Sequence, residues 1–509
     1  MSWGLTKKEA KISAILVCII LLEKVFSFAK NIVFAYFFGA QNSTDLYYLA
    51  TNIVSLFNIC FCVSVPMAFL TFFINKGYRE AEPAKQTEVM SNVTSAFLGL
   101  AFLFTAILFV IAPLLERIIA PTDSLNVNDR LSVYVRILSF IVILYCFSGL
   151  FSSSLECLGN YIPTKLSSLF VSAFAVLAAA LFGKKYGTIV AVYGFLAGIG
   201  CHALFAFILL WRKRKIRLKL PKLDDSVKSV LYLSLPMMVG VAATSINSLV
   251  DKLIAVKIGE GVVSALNYSS LLSRELVTGV LVAAVSSIIT ARFSENILHK
   301  EYDALNSNMN VIIFVMSLAV IPLTIFYFGY ADQIISFIFE RGAFKESAKD
   351  LTTMAFLGYS VGLIFLPFRE VFIRVQYAYQ DSKKPMVISL ISVLLNMILS
   401  VVLGVTFGII GIAIATSVAT IANCVLSYVA IKRKKIFEIK INWLMYGKLL
   451  ISSAVTVAIM LLIKNIPFKN NFIELLLSGV LILGCFLGIS CVLNRKLVRT
   501  ALKVLSKKS

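Results

Sequence analysis

Residues 475–493 read Leu-Leu-Leu-Ser-Gly-Val-Leu-Ile-Leu-Gly-Cys-Phe-Leu-Gly-Ile-Ser-Cys-Val-Leu, with no charged side chain among them. A helix of about 20 residues, rising 1.5 Å per residue, crosses the hydrocarbon core of a bilayer. Apolar runs of 18 or more residues with few charges are spans rather than soluble core helices. The run from Phe97 to Leu115 repeats the pattern. Within hydrocarbon, backbone N–H and C=O groups have to be satisfied inside their own segment, so these runs form helices. A β-barrel is excluded because the runs are continuous rather than alternating.

The rest of the chain agrees. It has 509 residues, 59% hydrophobic and 15% charged, with a mean hydropathy of +0.90. Soluble chains carry about 25% charged residues. The expected fold is an all-α membrane protein of about fourteen helices, near 11–38, 44–75, 89–114, 131–156, 162–183, 187–211, 227–257, 263–293, 303–329, 350–379, 384–406, 408–431, 443–464 and 470–493. The first run continues past Lys24 and Lys30 to Gly39 without a small-residue cleavage site, so it reads as a retained helix.

The formal net charge is +22. In a soluble protein that would suggest nucleic acid. Here the basic residues fall in short loops and set orientation. The segments 1–11, 76–88, 156–165, 212–228, 292–305, 376–386, 432–440 and 494–509 hold 30 of the 48 Lys and Arg residues. That asymmetry puts both termini in the cytoplasm. The richest loop, Arg212-Lys213-Arg214-Lys215-Ile216-Arg217, is first a topology anchor and second a candidate for anionic lipid head groups. The nine cysteines lie in or at the ends of apolar segments, and His202 and His299 stand alone, so no disulfide framework and no metal site is expected. No G-x-x-x-x-G-K-[ST] motif occurs, which argues against direct ATP hydrolysis. No catalytic constellation and no cofactor is expected. Na+ or H+ coupling, or the membrane potential, would supply the drive.

The chain also repeats itself. Ala35 to Gly39, followed by Thr44 and Tyr48, lines up with Ala255 to Gly259, followed by Ser264 and Tyr268. The stretch from Ala112 lines up with that from Ala331, and Leu155…Pro163 with Tyr377…Pro385. The offsets stay near 220. This pattern predicts two six-helix lobes, 1–220 and 221–440, with two extra helices and a basic tail in 441–509. Six is even, so the repeats are parallel, about an axis along the membrane normal, as in transporters that rock around a midplane site.

Charges inside spans are costly and each needs a reason. Glu370 and Arg374 stand at i,i+4 and can neutralise each other. Arg274 and Glu275 are adjacent and would each need a partner on another helix. Arg136 can snorkel outward, and Asp251-Lys252 can sit near the outer interface. Lys24 and Lys30 differ: they lie deep in one apolar helix with only Glu23 nearby. Facing lipid, each would cost roughly 2.5–3.5 kcal/mol. A water-filled cavity removes most of that cost and would attract phosphate or carboxylate.

Two stretches carry a family resemblance. The first runs from Leu22 through Lys24, Lys30 and Gly39 to Thr44-Asp45-Leu-Tyr-Tyr. It resembles the opening of the MurJ (MviN) lipid II flippases of the MOP exporter superfamily. The second is Phe339-Glu-Arg-Gly-Ala-Phe344, followed by Gly362-Leu and Tyr379-Gln-Asp381-Ser-Lys-Lys-Pro385. It resembles that family's outer loop and tenth-helix signature. The resemblance implies alternating access that moves a polyprenyl-pyrophosphate-linked saccharide, lipid II for peptidoglycan synthesis, to the outer leaflet of a bacterial plasma membrane. The expected partners are the lipid-linked precursor, membrane lipids and cell-wall synthesis proteins, with the chain itself a monomer. The family's two first-helix cavity arginines fall on Lys24 and Lys30. The acidic residue opening helix two falls on Asp45. The helix-two cavity arginine falls on Asn58, and the helix-eight one on Leu271, with Arg274 three residues on and roughly on the same face. On this basis Lys24, Lys30, Arg274 and Asn58 are the substrate-binding candidates. Asp45, Glu23 and Asp251 are the candidates for a gate or for ion coupling. The two departures keep a related lipid-linked oligosaccharide, of O-antigen, capsule or teichoic acid, in contention. A MATE-like antiporter would want uncompensated acids in its cavity, whereas the clearest unpaired charges here are basic. A non-transporting scaffold is the third alternative.

Overall fold

The computed structural model describes residues 7–119, 130–279, 292–379, 381, 383–433, 438–440, 442–466, 468, 471–495 and 497–499. Among them the secondary structure is helical, without strands. In chain order the helices are α1 (Lys7–Phe38), α2 (Asn42–Ile59), α3 (Val65–Asn75), α4 (Pro83–Ile119), α5 (Leu131–Cys157), α6 (Ile162–Tyr186), α7 (Ile189–Lys213), α8 (Asp225–Ile258) and α9 (Val262–Ser270). They continue with α10 (Tyr302–Phe339), α11 (Glu346–Ser360), α12 (Leu366–Ala378), α13 (Lys383–Phe407), α14 (Ile409–Arg433), α15 (Trp443–Lys464) and α16 (Asn471–Leu493). Among the described residues, ten helical segments are long and apolar enough to cross a membrane, or eleven when the bent α8 counts as one span. The chain is an all-α, multi-pass membrane protein, and the expected total of fourteen helices is compatible with these elements. The end of the eighth expected helix and the tail from residue 500 lie outside the described residues.

Most expected limits fall within a few residues of those observed. The largest departures have local causes. The second expected helix, 44–75, is interrupted by a π-helical turn at Cys60–Ser64 between α2 and α3. A second π turn, Leu271–Glu275, follows α9. The tenth is broken by a short 3-10 turn at Leu363–Phe365, just before Pro367, which cannot donate to a preceding carbonyl. The ninth, expected to stop at 329, instead kinks at Tyr330 (φ −128°, ψ 25°) and runs on to Phe339.

The structure divides into two compact units. One comprises Leu5–Ser264 and Arg341–Lys345, the other Ala265–Glu340 and Glu346–Ser509. This division follows packing, whereas the boundary expected at 220/221 follows sequence repetition. The two differ because α8 packs against α2, α3 and α4.

In the first unit, α6 and α7 form a hairpin whose faces meet through Gly194 and Gly198. A Cβ on Gly198 would lie 2.7 Å from the Val171 Cα. With little apolar driving force between helices in lipid, such small-residue seams let backbones approach and gain dispersion contact. His202, on the next turn of α7, is fully buried. Its Nε2 donates to the Pro163 carbonyl (2.9 Å), so its Nδ1 accepts from the Ser148 hydroxyl (2.7 Å). The lone histidine is thus a satisfied core group.

Each unit holds an extended exit segment in the same way. In the first, α4 receives residues 214–222: Ser91 Oγ accepts from Arg217 N–H, Ser95 Oγ from Lys219 N–H, and Asn92 bonds both backbone groups of Lys222. In the second, Asn306 and Asn310, one turn apart on α10, bond the backbone of Glu438, Lys440 and Asn442. Lys440 also pairs with Asp303 at 2.7 Å, and this hydrogen bond raises the Lys440 pKa above its ordinary value.

Candidate functional site

Lys24 and Lys30 both lie on α1. Lys24 Nζ is 3.7 Å from Glu23 Oε1, with the lysine side chain 42% exposed and the glutamate 21%. That is a loose, partly wet pair, and it leaves the α1 stretch net basic. Lys30 is half-buried. The next residue, Asn31, is buried. It donates to the Ser27 carbonyl (2.8 Å) and accepts from the Tyr48 hydroxyl (3.2 Å), which ties α1 to α2 beside Lys30.

Asp45, in the first turn of α2, is buried and accepts three hydrogen bonds. Gly261 N–H donates to one carboxylate oxygen (2.7 Å). Ser264 donates its N–H (2.7 Å) and its hydroxyl to the other. Glu260 Oε1 in turn accepts from Asn42 N–H (3.0 Å). The first turns of α2 and α9 would otherwise leave these amides orphaned. Asp45 therefore caps α9, a different helix from its own. Asp251 is buried on α8, and the neighbouring Lys252 donates to the Tyr48 carbonyl (3.4 Å).

Asn58 lies on α2, at the rim of a cavity of about 360 Å3 inside the first unit. Thr51, Asn52, Ser55 and Asn58 form one wall, and Tyr145 of α5 and Phe195 of α7 the other. The four polar residues follow a helical i, i+1, i+4, i+7 spacing. That stripe was readable in the sequence, yet only Asn58 was singled out from it, through the family resemblance.

In the second unit, Arg274 is exposed and lies over the Tyr359 ring, 5.9 Å from its centroid. Leu271 is buried. The expectation that the two share a face is corrected: it assumed α-helical spacing, but both sit in the π turn. Three residues of a wider π turn fall further short of a full rotation than three of an α-helix. Glu370, buried on α12, meets Arg374 (3.6 Å) as expected and also Arg369 (3.0 Å). One carboxylate thus faces two guanidiniums. Arg136 lies over the Phe109 ring (5.2 Å), and its Nε donates to the Phe109 carbonyl (3.4 Å).

The many apolar helices long enough to cross a membrane define the class as a multi-pass helical membrane protein. The comparisons agree. The structure superposes on a lipid II flippase MurJ in an inward closed conformation with TM-score 0.79 and 20% sequence identity, covering 96% of this chain and all of that one. On an inward-facing MATE-family multidrug resistance transporter of the MOP superfamily the TM-score is 0.65 at 15% identity, covering 83% of this chain and 98% of the other. A probable lipid II flippase MurJ of Treponema pallidum is 25% identical over 387 residues, 73% of this chain and 72% of the relative. Residues 34–480 match the family model described as lipid II flippase MurJ, and the chain belongs to that family.

Proposed function

We propose that this protein moves lipid II from the cytoplasmic to the outer leaflet of a bacterial plasma membrane by alternating access, with both of its termini in the cytoplasm. The observation that carries the reading is the family match over 34–480. The half-buried Lys24 and Lys30 on the long helix α1 support it. A sugar–pyrophosphate head does not cross hydrocarbon unaided, because burying an unpaired charge is prohibitive. Ammonium groups held at bilayer depth meet the pyrophosphate, while the prenyl tail stays in lipid. Lysines in place of arginines keep the charge and give up the bidentate fork. Arg274 is the matching cation of the second unit.

Asp45 acts as an outer-gate residue in this scheme, and ion coupling at this carboxylate is disfavoured. Both of its oxygens are occupied by N–H or O–H donors, and a cation would have to displace them. Glu23 tunes Lys24, and Asp251 is the better candidate for ion coupling. The drive is an ion gradient or the membrane potential, worth about 2.3 kcal/mol per charge per 100 mV. The protein works as a monomer alongside cell-wall synthesis proteins.

Asn58 and Leu271, in place of two family cations, favour a second reading, in which the cargo is another lipid-linked oligosaccharide. Depletion of the protein in its host tests both. Accumulation of lipid II on the cytoplasmic leaflet supports the first reading. Accumulation of a different polyprenyl-linked saccharide, with lipid II unchanged, replaces it with the second.

A further inference from the structure

The helices α13 and α14 form a hairpin that turns at Gly408. Near that turn they touch: a Cβ on Gly411 would run into the Leu403 carbonyl. At the other end a cleft of about 330 Å3 lies between them. Lys383 and Lys384, in the first turn of α13, and Arg433, the last residue of α14, stand around it. The rest of the wall is apolar, from Val387 and Ile388 on α13 to Leu426 and Val429 on α14. Both helices are long and apolar enough to span a membrane, so the three cations meet at one bilayer interface.

Basic residues at the ends of spans are ordinarily orientation anchors that snorkel into water. The charge balance here goes further. No acidic side chain is among the described residues that line the cleft. Asp381, just before α13, accepts from Lys384 N–H (3.1 Å) and so serves the first turn of the helix. Lys383, Lys384 and Arg433 are exposed and form no ion pair among the described residues. Like charges thus share one cleft without a protein counter-charge, and an anion relieves their repulsion. The surface beside the cleft narrows the class of anion. Val387 is exposed, and exposed Ile391, Leu394 and Ile398 follow it along one face of α13. That i, i+4, i+7, i+11 stripe leads from the cleft toward the middle of the span. A soluble phosphate gains nothing from it, whereas a hydrocarbon chain packs along it.

We propose that this cleft binds the head group of an anionic bilayer phospholipid, with Lys383, Lys384 and Arg433 meeting its phosphate and one acyl chain lying along the exposed stripe that begins at Val387. Basic pockets between spanning helices suit anionic lipid heads in this way. A zwitterionic lipid brings its own cation to the cleft and gains less there. The site stands at the ends of two spans, whereas Lys24 and Lys30 lie within α1, so the inference does not depend on the identity of the cargo.

The test titrates the full chain in detergent with dioleoylphosphatidylglycerol and, separately, with dioleoylphosphatidylcholine, and reads bound lipid by native mass spectrometry. The wild type is expected to bind phosphatidylglycerol more tightly. Lys383→Gln, Lys384→Gln and Arg433→Gln are each expected to weaken that binding about fivefold, the equivalent of about 1 kcal/mol per basic residue at an anionic surface. Lys432→Gln removes the same charge from an exposed neighbour that does not line the cleft, and is expected to change little. A monodisperse elution profile checks each variant, and each of the three tests the site by itself. The inference is overturned if Lys432→Gln weakens binding as much as they do, which would mark a diffuse field rather than a site. It is also overturned if the wild type binds both lipids equally, or if inorganic phosphate at equal concentration displaces phosphatidylglycerol, which would mark a site for soluble anions. Finally, it is overturned if the three variants weaken binding of lipid II but not of phosphatidylglycerol, which would assign the cleft to the cargo.

Discussion

Ser264 donates twice to Asp45 across 219 residues of sequence, through its backbone N–H and its hydroxyl, onto one carboxylate oxygen. The other oxygen takes Gly261 N–H. Charge-assisted bonds of this kind are roughly twice as strong as neutral ones, and the acid also meets the positive end of the α9 dipole. The partners follow from the repeat: Thr44 and Ser264 are matched positions, so the same turn occurs twice, and here the two turns clasp each other.

Replacing Asp45 with alanine orphans two buried amides and a hydroxyl. The hydroxyl can turn to another acceptor, so the expected loss is roughly 2–6 kcal/mol, taking about 1–3 for each of the two amides left unpaired. Thermal unfolding in detergent reads it. Asp45→Asn keeps acceptor capacity on one atom and should fall between alanine and wild type, and Ser264→Ala should cost the least. An Asp45→Ala melting temperature equal to that of the wild type would show that water replaces the carboxylate, and the cap would then carry no stability.

Gly342 has φ +63°, and a Cβ there would run into the Tyr36 carbonyl oxygen. The neighbouring Ala343 N–H donates to that same oxygen (2.8 Å). Gly77 has a similar φ of +70° and open space around it. Gly77→Ala should therefore cost only the left-handed backbone term, about 1–2 kcal/mol. Gly342→Ala should cost more, because the loop has to leave α1. Equal melting temperatures for the two variants would mean that the 341–345 loop shifts freely.

The spans were legible because hydrocarbon imposes long apolar runs, and 443–464 was placed to the residue. The two π turns were not legible: nothing in Cys60–Ser64 or Leu271–Glu275 departs from ordinary helical composition. The expectation that Arg274 shares a face with Leu271 failed for that reason. The three-residue rule used for it holds only where the helix is regular. The donors to Asp45 lie at and just before another helix, and spacing along the chain does not reveal them. The basic loops, the charged α1 stretch and the polar stripe of α2 could all be read directly. The cleft at the basic end of α13 and α14 could not, because the space between two helices is a property of the packed structure.

Glu370 carries a different kind of dependence. It is buried between Arg369 and Arg374, whose side chains are 27% and 29% exposed, and both guanidinium Nε–H groups lack partners. Removing the acid from a fully buried pair costs about 3–5 kcal/mol. Partial solvent access to these arginines lowers the expectation for Glu370→Gln to roughly 1–3 kcal/mol. The double variant Glu370→Gln with Arg369→Gln should recover part of the loss, because it removes one of the two uncompensated cations. A double variant no more stable than the single one would show that the arginines are neutralised by other groups.

Lys24 and Lys30 separate transport from folding. Lys24 is 42% exposed, so reversing it to glutamate is tolerated structurally. Beside Glu23 it would nevertheless turn a net-neutral pair into two like charges. Lys24→Glu with Lys30→Glu should abolish translocation of the lipid-linked head, measured by accumulation of the precursor on the cytoplasmic leaflet, while membrane expression stays at the wild-type level. Lys24→Arg should retain or improve activity, because a guanidinium keeps the charge and adds a two-pronged fork suited to pyrophosphate. Wild-type transport by the doubly reversed chain would leave these lysines as orienting charges, and the cargo would have to be held by other groups. Loss of expression together with activity would instead place their role in insertion, where each intramembrane charge has to find shelter as the helix enters the bilayer.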